Sequence, residues 1–516
     1  MQIVISNIKM PIKHNKDMVL KAAREIVRSA SVSAKDFVIY KQSLDARRKN
    51  NIHYIYSVTA TTNDNIVESE NISVFKGSAK LNVKKVPLKS QPIVVGMGPC
   101  GLFAAYILAL SGNPPIIIER GEAVDERTKT VNEFWNGKKL NPNSNVQFGE
   151  GGAGTFSDGK LTTRIGDVRQ RFILDTFKRF GAPEDIVYRA KPHIGTDKLK
   201  EVVKNMRKEL IDMGCDIRFN SCLTDVLIEN KKVFGAEVNN SEIIKSEYLV
   251  LAIGHSSRDT YSLLCEKGVE MIKKPFAIGV RIEHSQSFID KVQYGAEEGL
   301  PPADYKVAYN GKERSCYSFC MCPGGTVVNA SSEEGGLTVN GMSNYLRDAR
   351  CANSALVVSV RPDDFDDGVL GGVEFQRRYE KFAYNLGEGY APIQLAEDFI
   401  KDKPTLELKN VKPSVTGGYK IRELKKCLPN YVVDTLRSGL NDFERKIHGF
   451  SGGGAVLTGI EARTSAPLRI LRGENMESVN IKGLFPSGEG AGYAGGIVSA
   501  ALDGMKTAFA MIDECE

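Results

Sequence analysis

The chain has 516 residues, of which 42% are hydrophobic and 26% are charged, and these values are typical of a globular protein with two or three domains. They exclude a fibrous or disordered chain, and no uncharged apolar run is long enough to cross a bilayer or to serve as a secretory leader. We therefore expect a cytoplasmic protein without a membrane partner, in which the ten cysteines are reduced thiols.

The first 90 residues are basic, because they hold 16 Lys and Arg against 7 Asp and Glu, whereas the rest of the chain is mildly acidic. One interpretation is a lysine-rich surface that is simply solvated. The other is a face that docks nucleic acid or another acidic partner, on which Tyr40, Tyr54 and Tyr56 would stack bases.

The spacing of apolar residues predicts the secondary structure. In the N-terminal segment the predicted elements are strands at 2–9, 36–40 and 53–60, a helix at 17–29 and a lysine-rich linker at 76–91. In the rest of the chain they are strands at 92–96, 115–119, 216–219, 233–238 and 248–254 and helices at 102–110, 196–212 and 497–512. Strands that alternate with helices are typical of an α/β fold with a parallel sheet.

The strongest motif is Gly96-Met-Gly98-Pro-Cys-Gly101, which directly follows a predicted buried strand and opens an apolar helix. Gly96 permits a tight turn, Gly98 lets the backbone approach a diphosphate, and Gly101 lets the helix pack closely on the strand. Amides at the start of the helix would face the phosphates, and the helix dipole favours their negative charge. The motif therefore predicts a dinucleotide site.

Glu119 ends the next predicted strand, 18 residues after Gly101. A carboxylate about 20 residues beyond the motif is typical of the acid that accepts hydrogen bonds from the ribose hydroxyls. Because a carboxylate would repel a 2′-phosphate, this position favours FAD or NAD over NADP.

Two more glycine-rich segments favour a flavin over a nicotinamide coenzyme. Residues 149–161 are mostly glycine and small polar residues, so they can lie close beneath a flat ring system. Residues 484–501 place Gly488 and Glu489 at a strand end and begin a helix near Gly496. A helix N-terminus at that point would stabilise negative charge on a reduced flavin.

These segments resemble the flavoprotein superfamily of glutathione reductase and p-hydroxybenzoate hydroxylase. Residues 92–120 are similar to its adenine-nucleotide fingerprint, and residues 195–254 are similar to its next helix, strand pair and closing turn. Residues 484–504 are similar to its last motif. The superfamily binds the ribityl chain with an Asp at that motif, whereas this sequence has Glu489, which keeps the carboxylate on a longer side chain.

More specifically, the chain resembles, over nearly its whole length, a family of bacterial FAD-dependent dehydrogenases of unassigned substrate. The segments that carry the resemblance are FGEGGAGTFSDGKL, KPFAIGVRIEH, CMCPGGTVV and TGIEARTSAPLRI. It implies a discontinuous Rossmann-type FAD-binding domain at 89–265 and 456–516, an inserted α+β substrate domain at 266–455 and a small α+β domain at 1–88. The predicted cofactor-binding residues are Gly96, Gly98, Pro99, Cys100, Gly101, Glu119, Arg120, Lys160, Val226, Ala252, Gly254, Gly488, Glu489, Gly496 and Ile497.

The resemblance implies an oxidoreductase in which hydride passes to or from flavin N5, with a small molecule as substrate. The sequence has no second glycine fingerprint, so NADH or NADPH would bind transiently, or the substrate itself would reduce the flavin. The alternative is an RNA-modifying or RNA-associated flavoprotein that uses its basic N-terminal segment, since distant relatives modify the wobble uridine of tRNA. A third hypothesis is a non-catalytic flavin sensor.

Four residues are candidates for catalysis, and each has a plainer structural interpretation. His255 and His193 are proton donors if they face the flavin, and satisfied structural histidines otherwise. Lys160, the one cation of residues 149–161, either tunes the flavin or anchors its loop. Arg463 would touch the ring or the substrate if the chain returns to the flavin there.

Cys316, Cys320 and Cys322 form a C-x3-C-x-C pattern. A redox disulfide beside the flavin is one interpretation. Alternation along a strand would place Cys320 and Cys322 on the same face, so buried inert thiols are expected instead. No metal site is predicted, because a fourth ligand is missing nearby. Arg281 and Glu283 also share a face of a predicted strand, either as an ion pair or as a wall that binds an anion.

Overall fold

The computed structural model describes residues 1–77, 81–163, 165–409 and 412–513. The N-terminal elements are β1 (Gln2–Met10), α1 (Lys16–Ser29), β2 (Ala34–Asp45), β3 (His53–Thr62) and β4 (Ile72–Val74). The four strands form one antiparallel sheet in the order β2-β3-β1-β4. Helix α1 buries Val19, Ala23 and Val27, which lie four residues apart and hence on one face. The described part of the predicted linker at 76–91 has no helix or strand, and residues 78–80 lie outside the described residues.

The elements that follow alternate between strands and helices. They are β5 (Ile93–Val95), α2 (Pro99–Leu110), β6 (Ile116–Ile118), α3 (Val124–Trp135), α4 (Gln170–Arg179), α5 (Thr196–Asp212), β7 (Asp216–Arg218), β8 (Leu223–Glu229), β9 (Lys232–Val238), β10 (Glu242–Lys245), β11 (Leu249–Leu251) and α6 (Arg258–Glu266). Helix α2 begins three residues before the predicted start at 102, because Gly98 is its N-cap and proline is favoured in the first turn of a helix.

A longer run of strands and helices completes the chain. It contains β12 (Met271–Lys273), β13 (Phe276–Ser285), α7 (Gln286–Tyr294), β14 (Ala308–Asn310), β15 (Ser315–Asn329), β16 (Val339–Ser343), β17 (Cys351–Val360), α8 (Gly371–Gly387), β18 (Ala391–Leu395), α9 (Ala396–Ile400), β19 (Tyr419–Ile421), α10 (Asn430–Lys446), β20 (Val456–Glu461), β21 (Leu468–Ile470), β22 (Leu484–Pro486) and α11 (Ile497–Asp513). Among the helices of the described ranges, none combines the length and the apolar character needed to cross a membrane.

A five-stranded parallel sheet carries the glycine motif, in the order β22-β11-β5-β6-β7. Val94 and Val250 pack on one face against α2 and α11, and Ile93 and Leu251 pack on the other face against β8 and β9. Because both faces are covered, the strands are short uninterrupted apolar runs rather than alternating ones. The predicted α/β fold with a parallel sheet is confirmed.

The inserted segment is built on an eight-stranded sheet. Its order is β14-β15-β17-β13-β20-β18-β19, and β16 pairs with β15. Strand β20 lies between β13 and β18, so residues 456–461 belong to this sheet, although the predicted boundary places 456–516 in the flavin-binding part. The chain leaves the sheet after Glu461, and β21 then pairs with β12 in a separate two-stranded ribbon.

Candidate functional site

One cavity of about 410 Å³ lies at the carboxyl ends of β5, β6 and β11, the edge at which parallel α/β sheets bind ligands. Of the residues predicted to bind cofactor or to act in catalysis, those that line it are Gly96, Gly98, Pro99, Cys100, Glu119, Arg120, Lys160, Ala252, Gly254, His255, Arg463, Glu489, Gly496 and Ile497. The predicted residues outside the lining are Gly101, His193, Val226 and Gly488. Segments that are distant in the sequence therefore meet at one cavity.

The glycine motif has the geometry that a diphosphate-binding turn requires. Gly96 has a φ of 97°, and a Cβ there would lie 2.4 Å from the carbonyl oxygen of Ala252. A Cβ at Gly101 would lie 1.9 Å from the carbonyl oxygen of Gly96, so Gly101 serves the packing of α2 and does not reach the cavity. At Gly98 the nearest atom to an added Cβ is the Cα of Gly152, at 3.7 Å. Gly98 therefore keeps the cavity wall flat beside the first turn of α2.

Glu119 accepts backbone N–H groups with both carboxylate oxygens. Its Oε2 accepts from Met97 at 2.8 Å, and its Oε1 accepts from Gly121 and Gly149 at 2.9 and 3.0 Å. The side chain is buried on the cavity wall and ties the glycine motif to the loop that begins at residue 149. A carboxylate has about four acceptor positions, so one remains for a ribose hydroxyl.

Arg120 is held rigidly on the wall, since its guanidinium donates to both carboxylate oxygens of Asp259, at 3.0 and 2.7 Å. The same group lies over the ring of Phe148, 4.3 Å from its centroid. Val226, a predicted cofactor contact, is instead fully buried in the core between the parallel sheet and the sheet of β8 to β10. Leu223, at the start of β8, lines the cavity in its place.

The glycine segment after β22 supports the wall from behind. Gly488 has a φ of 74°, donates its N–H to Asp503 at 2.6 Å, and leaves room for Cys100, whose Sγ would lie 2.9 Å from an added Cβ. Cys100 packs at the start of α2, and burial raises the pKa of its thiol to about 12. Gly496 and Ile497 line the cavity, so the N-terminus of α11 faces it as predicted.

Glu489 and His255 meet on the wall, with 3.8 Å between the carboxylate Oε1 and the imidazole Nε2. Burial raises the pKa of Glu489 to about 7, although the charge of Lys274 opposes this. Burial lowers the pKa of His255 to about 3, and the charge of Arg463 adds to the effect. His255 is therefore neutral at neutral pH, and its buried Nδ1 has no hydrogen-bond partner among the described residues. These two side chains can hold a single proton beside the cavity.

Lys160 both lines the cavity and anchors its loop. Its Nζ donates to the carbonyl oxygen of Met321 in β15 and lies 4.0 Å from a carboxylate oxygen of Asp158. Asp158 in turn accepts two hydrogen bonds from Arg347, at 2.9 and 2.5 Å. Burial alone would raise the pKa of Asp158, but the charge of Arg347 holds it below its ordinary value. The structure therefore shows Lys160 as an anchor of its loop, and its place on the cavity wall leaves the tuning of a flavin as a prediction.

His193 is not brought to the cavity. Its Nε2 lies 2.8 Å from the carbonyl oxygen of Tyr345, and its ring stacks on that of Tyr345 with 5.4 Å between the centroids. Its backbone forms an isolated β-bridge with Lys160. The candidate role of proton donor is therefore corrected to a structural one. His193 joins the glycine-rich loop at 149–161, called the second glycine loop below, to the inserted segment.

Arg463 lies on the cavity wall with its guanidinium fully engaged. It pairs with the buried carboxylate of Glu380 at 2.7 Å and donates to the hydroxyls of Ser256 and Ser332 at 3.1 and 2.5 Å. The side chain is only 4% exposed. Its position beside the cavity agrees with the prediction, while its contacts within the protein show that it also joins distant segments.

The three clustered cysteines separate into two environments. Cys316 packs against α10, where an added Cβ at Gly439 would lie 2.9 Å from its Sγ. Cys320 lines the cavity and is half-buried, whereas Cys322 is fully buried behind it. Every cysteine in the described ranges is a free thiol. Cys316 fits the expected inert thiol, whereas Cys320 does not, because it reaches the cavity.

Arg281 and Glu283 do not form the predicted pair or an anion-binding wall. Arg281 is fully buried and pairs with Glu461 at 2.8 Å. Glu283 instead accepts the backbone N–H and the hydroxyl of Ser414, at 2.9 and 2.5 Å. Glu461, at the end of β20, lines the cavity, and burial raises its pKa to about 7.

Sequence reasoning missed the lining residues that come from the inserted segment and from the second glycine loop. These include Phe148, Asp158, Phe319, Thr338, Val339, Asn340 and Glu461. Two of them carry a signal that could have found them. Asp158 is an acid in a loop that consists mostly of glycine and small residues, and Glu461 is an acid at the end of a mostly apolar strand.

A protein from Clostridium beijerinckii named only as an uncharacterized protein is 48% identical to this chain over 535 residues, which covers 100% of this chain and 99% of the relative. The chain belongs to the same family as this clostridial protein. Residues 275–464 of this family member match the family described as FAD-dependent protein, C-terminal domain-like. Residues 1–61 match a domain of unknown function, DUF8436.

Solved structures similar to this family member are distant. CtdE in complex with FAD is 13% identical, covers 81% of this chain and 83% of its own, and has a TM-score of 0.33. Glycine oxidase from Bacillus cereus is 13% identical, covers 83% and 96%, and has a TM-score of 0.31. At these TM-scores the likeness carries no weight, and the match at 275–464 is what links this chain to FAD-dependent proteins.

Proposed function

We propose that this protein binds FAD in the cavity and is an FAD-dependent oxidoreductase acting on a small molecule. The observation that carries the proposal is that one cavity joins the first turn of α2 at Gly98, the carboxylate of Glu119 and the N-terminus of α11 at Ile497. An extended dinucleotide needs a diphosphate site, a ribose acceptor and a favourable field for its ring at such positions. The match of residues 275–464 to a domain of FAD-dependent proteins supports the choice of FAD.

The residues around Gly98 fit a diphosphate. The first N–H groups of α2 lack partners within the helix, and its N-cap residue is a glycine with no side-chain cap. Gly152 of the second glycine loop lies against it, since a Cβ at Gly152 would be 3.0 Å from the Cα of Gly98. Two neighbouring glycine backbones thus form a floor on which a charged group can approach the amides closely.

The part of the cavity wall at the start of α11 fits a flat ring that gains negative charge. Gly154 lies against the start of α11, since an added Cβ would be 3.2 Å from the Cγ1 of Ile497. The N-terminus of this 17-residue helix carries a partial positive charge. Lys160 adds a full positive charge to the same wall. Both groups would stabilise the reduced form of a flavin and raise its reduction potential.

Bound FAD would supply hydride transfer at its N5, and the chain would supply orientation and proton handling. We propose that residues 89–265 and 456–516 hold the cofactor, apart from the strand at 456–461, and that the inserted segment covers it. Phe319 and Asn340 line the cavity from β15 and β16 and would form part of the substrate wall. His255 and Glu489 are placed to exchange a proton with a substrate there.

Anaerobic reduction of the FAD-loaded protein tests this function. We propose that a nicotinamide binds transiently and reduces the flavin, so mixing with NADH and with NADPH in turn should bleach the flavin absorption quickly with one of them. Turnover with artificial electron acceptors should follow. The proposal is contradicted if neither nicotinamide reduces the FAD-loaded protein and no acceptor supports turnover. The protein would then bind a flavin without acting as an oxidoreductase.

A further inference from the structure

Strand β15 is interrupted by a β-bulge at the cavity wall. Between the paired residues Phe319 and Cys322 it has two residues, Cys320 and Met321, where the partner strand β17 has one. Cys320 has a φ of 44°, a conformation that is uncommon outside glycine and that clusters at functional sites. Bulges next to active sites re-aim a side chain. Here the bulge leaves Cys320 on the cavity wall and Cys322 buried directly behind it.

Two cationic side chains hold this bulge. Arg281 donates to the carbonyl oxygen of Cys320 at 2.6 Å, and its Nη2 lies 3.7 Å from the Sγ of Cys322. Lys160 donates to the carbonyl oxygen of the residue between them, Met321. Arg281 is fully buried and fixed by its ion pair with Glu461. Two positive charges therefore lie at the bulge that carries both cysteines.

The side chain of Cys322 lies against the backbone of Cys320, since its Sγ donates to the carbonyl oxygen of Cys320 at 3.4 Å. The proximity of the Cys322 thiol, together with the charges of Lys160 and Arg281, lowers the pKa of the Cys320 thiol although burial opposes the shift. The proximity of Cys320, together with burial, raises the pKa of the Cys322 thiol. A thiolate beside a protonated thiol is the starting arrangement for disulfide formation.

We propose that Cys320 and Cys322 are a redox-active dithiol that exchanges two electrons with FAD in the cavity, an inference that rests on the proposed function. In the oxidative step an S–S bond forms between the two sulfur atoms, the S–H bond of Cys322 breaks, and the pair releases one proton and two electrons. The oxidised flavin takes up two electrons and one proton. In the reverse step the reduced flavin returns them and the disulfide opens. Cys316 is outside the pair, because it packs against α10.

The existence of the disulfide can be tested without FAD. The full-length protein is equilibrated with mixtures of oxidised and reduced dithiothreitol, alkylated, digested and sequenced by mass spectrometry. We expect a reversible Cys320–Cys322 disulfide, with Cys316 alkylated throughout. The proposal is overturned if Cys320 and Cys322 both remain alkylated at every ratio of the two forms.

The coupling to the flavin is tested by anaerobic dithionite titration of the oxidised, FAD-loaded protein. Wild type and the control Cys316→Ala should each take up two electron pairs per FAD, whereas Cys322→Ser should take up one. If Cys322→Ser does not fold, Cys320→Ser gives the same test, because its side chain faces the cavity. Uptake of a single pair by wild type overturns the coupling while leaving the flavoprotein assignment intact. If the protein retains no FAD, both the proposed function and the coupling are wrong. The alkylation experiment then still decides whether the dithiol exists.

Discussion

The guanidinium of Arg463 donates two hydrogen bonds to the carboxylate of Glu380, at 2.8 and 2.7 Å. The same carboxylate accepts two more from Arg258, at 2.6 and 3.0 Å. Burial alone would raise the pKa of Glu380, but the charges of Arg258 and Arg463 hold it at about 2. Since Arg258 begins α6 and Glu380 lies in α8, the cluster joins the proposed cofactor-binding part to the inserted segment beside the cavity.

Removal of the shared carboxylate should therefore destabilise the whole protein. We expect Glu380→Ala to lower the free energy of unfolding by about 3–5 kcal/mol, because two buried guanidinium groups lose the carboxylate that they share, and Arg258 keeps only its ion pair with Glu333. Glu374→Ala on the same helix removes an exposed partner of Arg377 and should cost less than about 1 kcal/mol. Chemical denaturation compares the two variants.

The ion-pair cluster of Arg258, Glu380 and Arg463 also predicts how the stability of the protein changes as the pH falls. The pKa of Glu380 is depressed in the folded protein, so its stabilising contribution is present above the ordinary value near 4.5 and is lost as the pH falls toward 2. Wild type should lose stability over this range more steeply than Glu380→Ala. Equal slopes in the two proteins would contradict the account of this cluster.

Glu489 should produce a pH dependence of the opposite sign. Its pKa rises to about 7 on folding, so the folded state binds an extra proton between pH 4.5 and 7 and loses this stabilisation as the pH rises. Its share of the slope is at most about 1.4 kcal/mol per pH unit. We expect Glu489→Gln to flatten the decline in unfolding free energy over this window, measured without added cofactor. A decline as steep as that of wild type would show that Glu489 titrates normally.

Gly98 and Gly101 should respond differently to the same substitution. Gly98 has a φ of −76° that alanine adopts readily, so Gly98→Ala should fold and weaken FAD binding at least about tenfold, or about 1.4 kcal/mol, by lifting the diphosphate off the amides. Gly101→Ala should fail to fold normally, because its Cβ would lie 1.9 Å from the carbonyl oxygen of Gly96. Gly452→Ala, where an added Cβ meets nothing within 4 Å, is the control. Unchanged FAD affinity in Gly98→Ala would argue against a diphosphate at this turn.

The parts of the site that could be predicted from the sequence are local. The residues of the motif from Gly96 to Gly101 and the acid at Glu119 follow from backbone rules within a single strand–turn–helix unit, and the structure places all of them except Gly101 at one cavity. The helix at 196–212 can be predicted equally well from the sequence, because its apolar residues recur at helical spacing.

The parts that could not be predicted depend on contacts between distant segments. Arg347 reaches Asp158 across 189 residues of sequence, and no local period encodes such a pair. Strand alternation places Cys320 and Cys322 on one face, but the bulge in β15 breaks that alternation and moves Cys320 to the cavity. His193 failed as a candidate for a related reason, since its partner Tyr345 lies in the inserted segment.

Replacement of Lys160 should change the reactivity of Cys320. The charge of Lys160 is one of the causes that lower the pKa of the Cys320 thiol, after the proximity of the Cys322 thiol. We expect Lys160→Met to shift the pH profile of Cys320 alkylation by iodoacetamide toward higher pH, because the thiolate loses a stabilising cation. Lys191→Met removes an exposed lysine that pairs with Asp304 and serves as the control. An identical profile in wild type and Lys160→Met would show that the charge of Lys160 does not affect the pKa of the Cys320 thiol.

Equilibrium titration of the purified, cofactor-stripped full-length protein with FAD, followed by flavin fluorescence and absorption, tests the central claim most directly. Saturation at one FAD per chain, with a marked loss of affinity in Gly98→Ala and none in Gly452→Ala, is the result that we expect. A wild-type protein that takes up no FAD, or that binds it equally well when Gly98 carries a side chain, would contradict the assignment of this cavity.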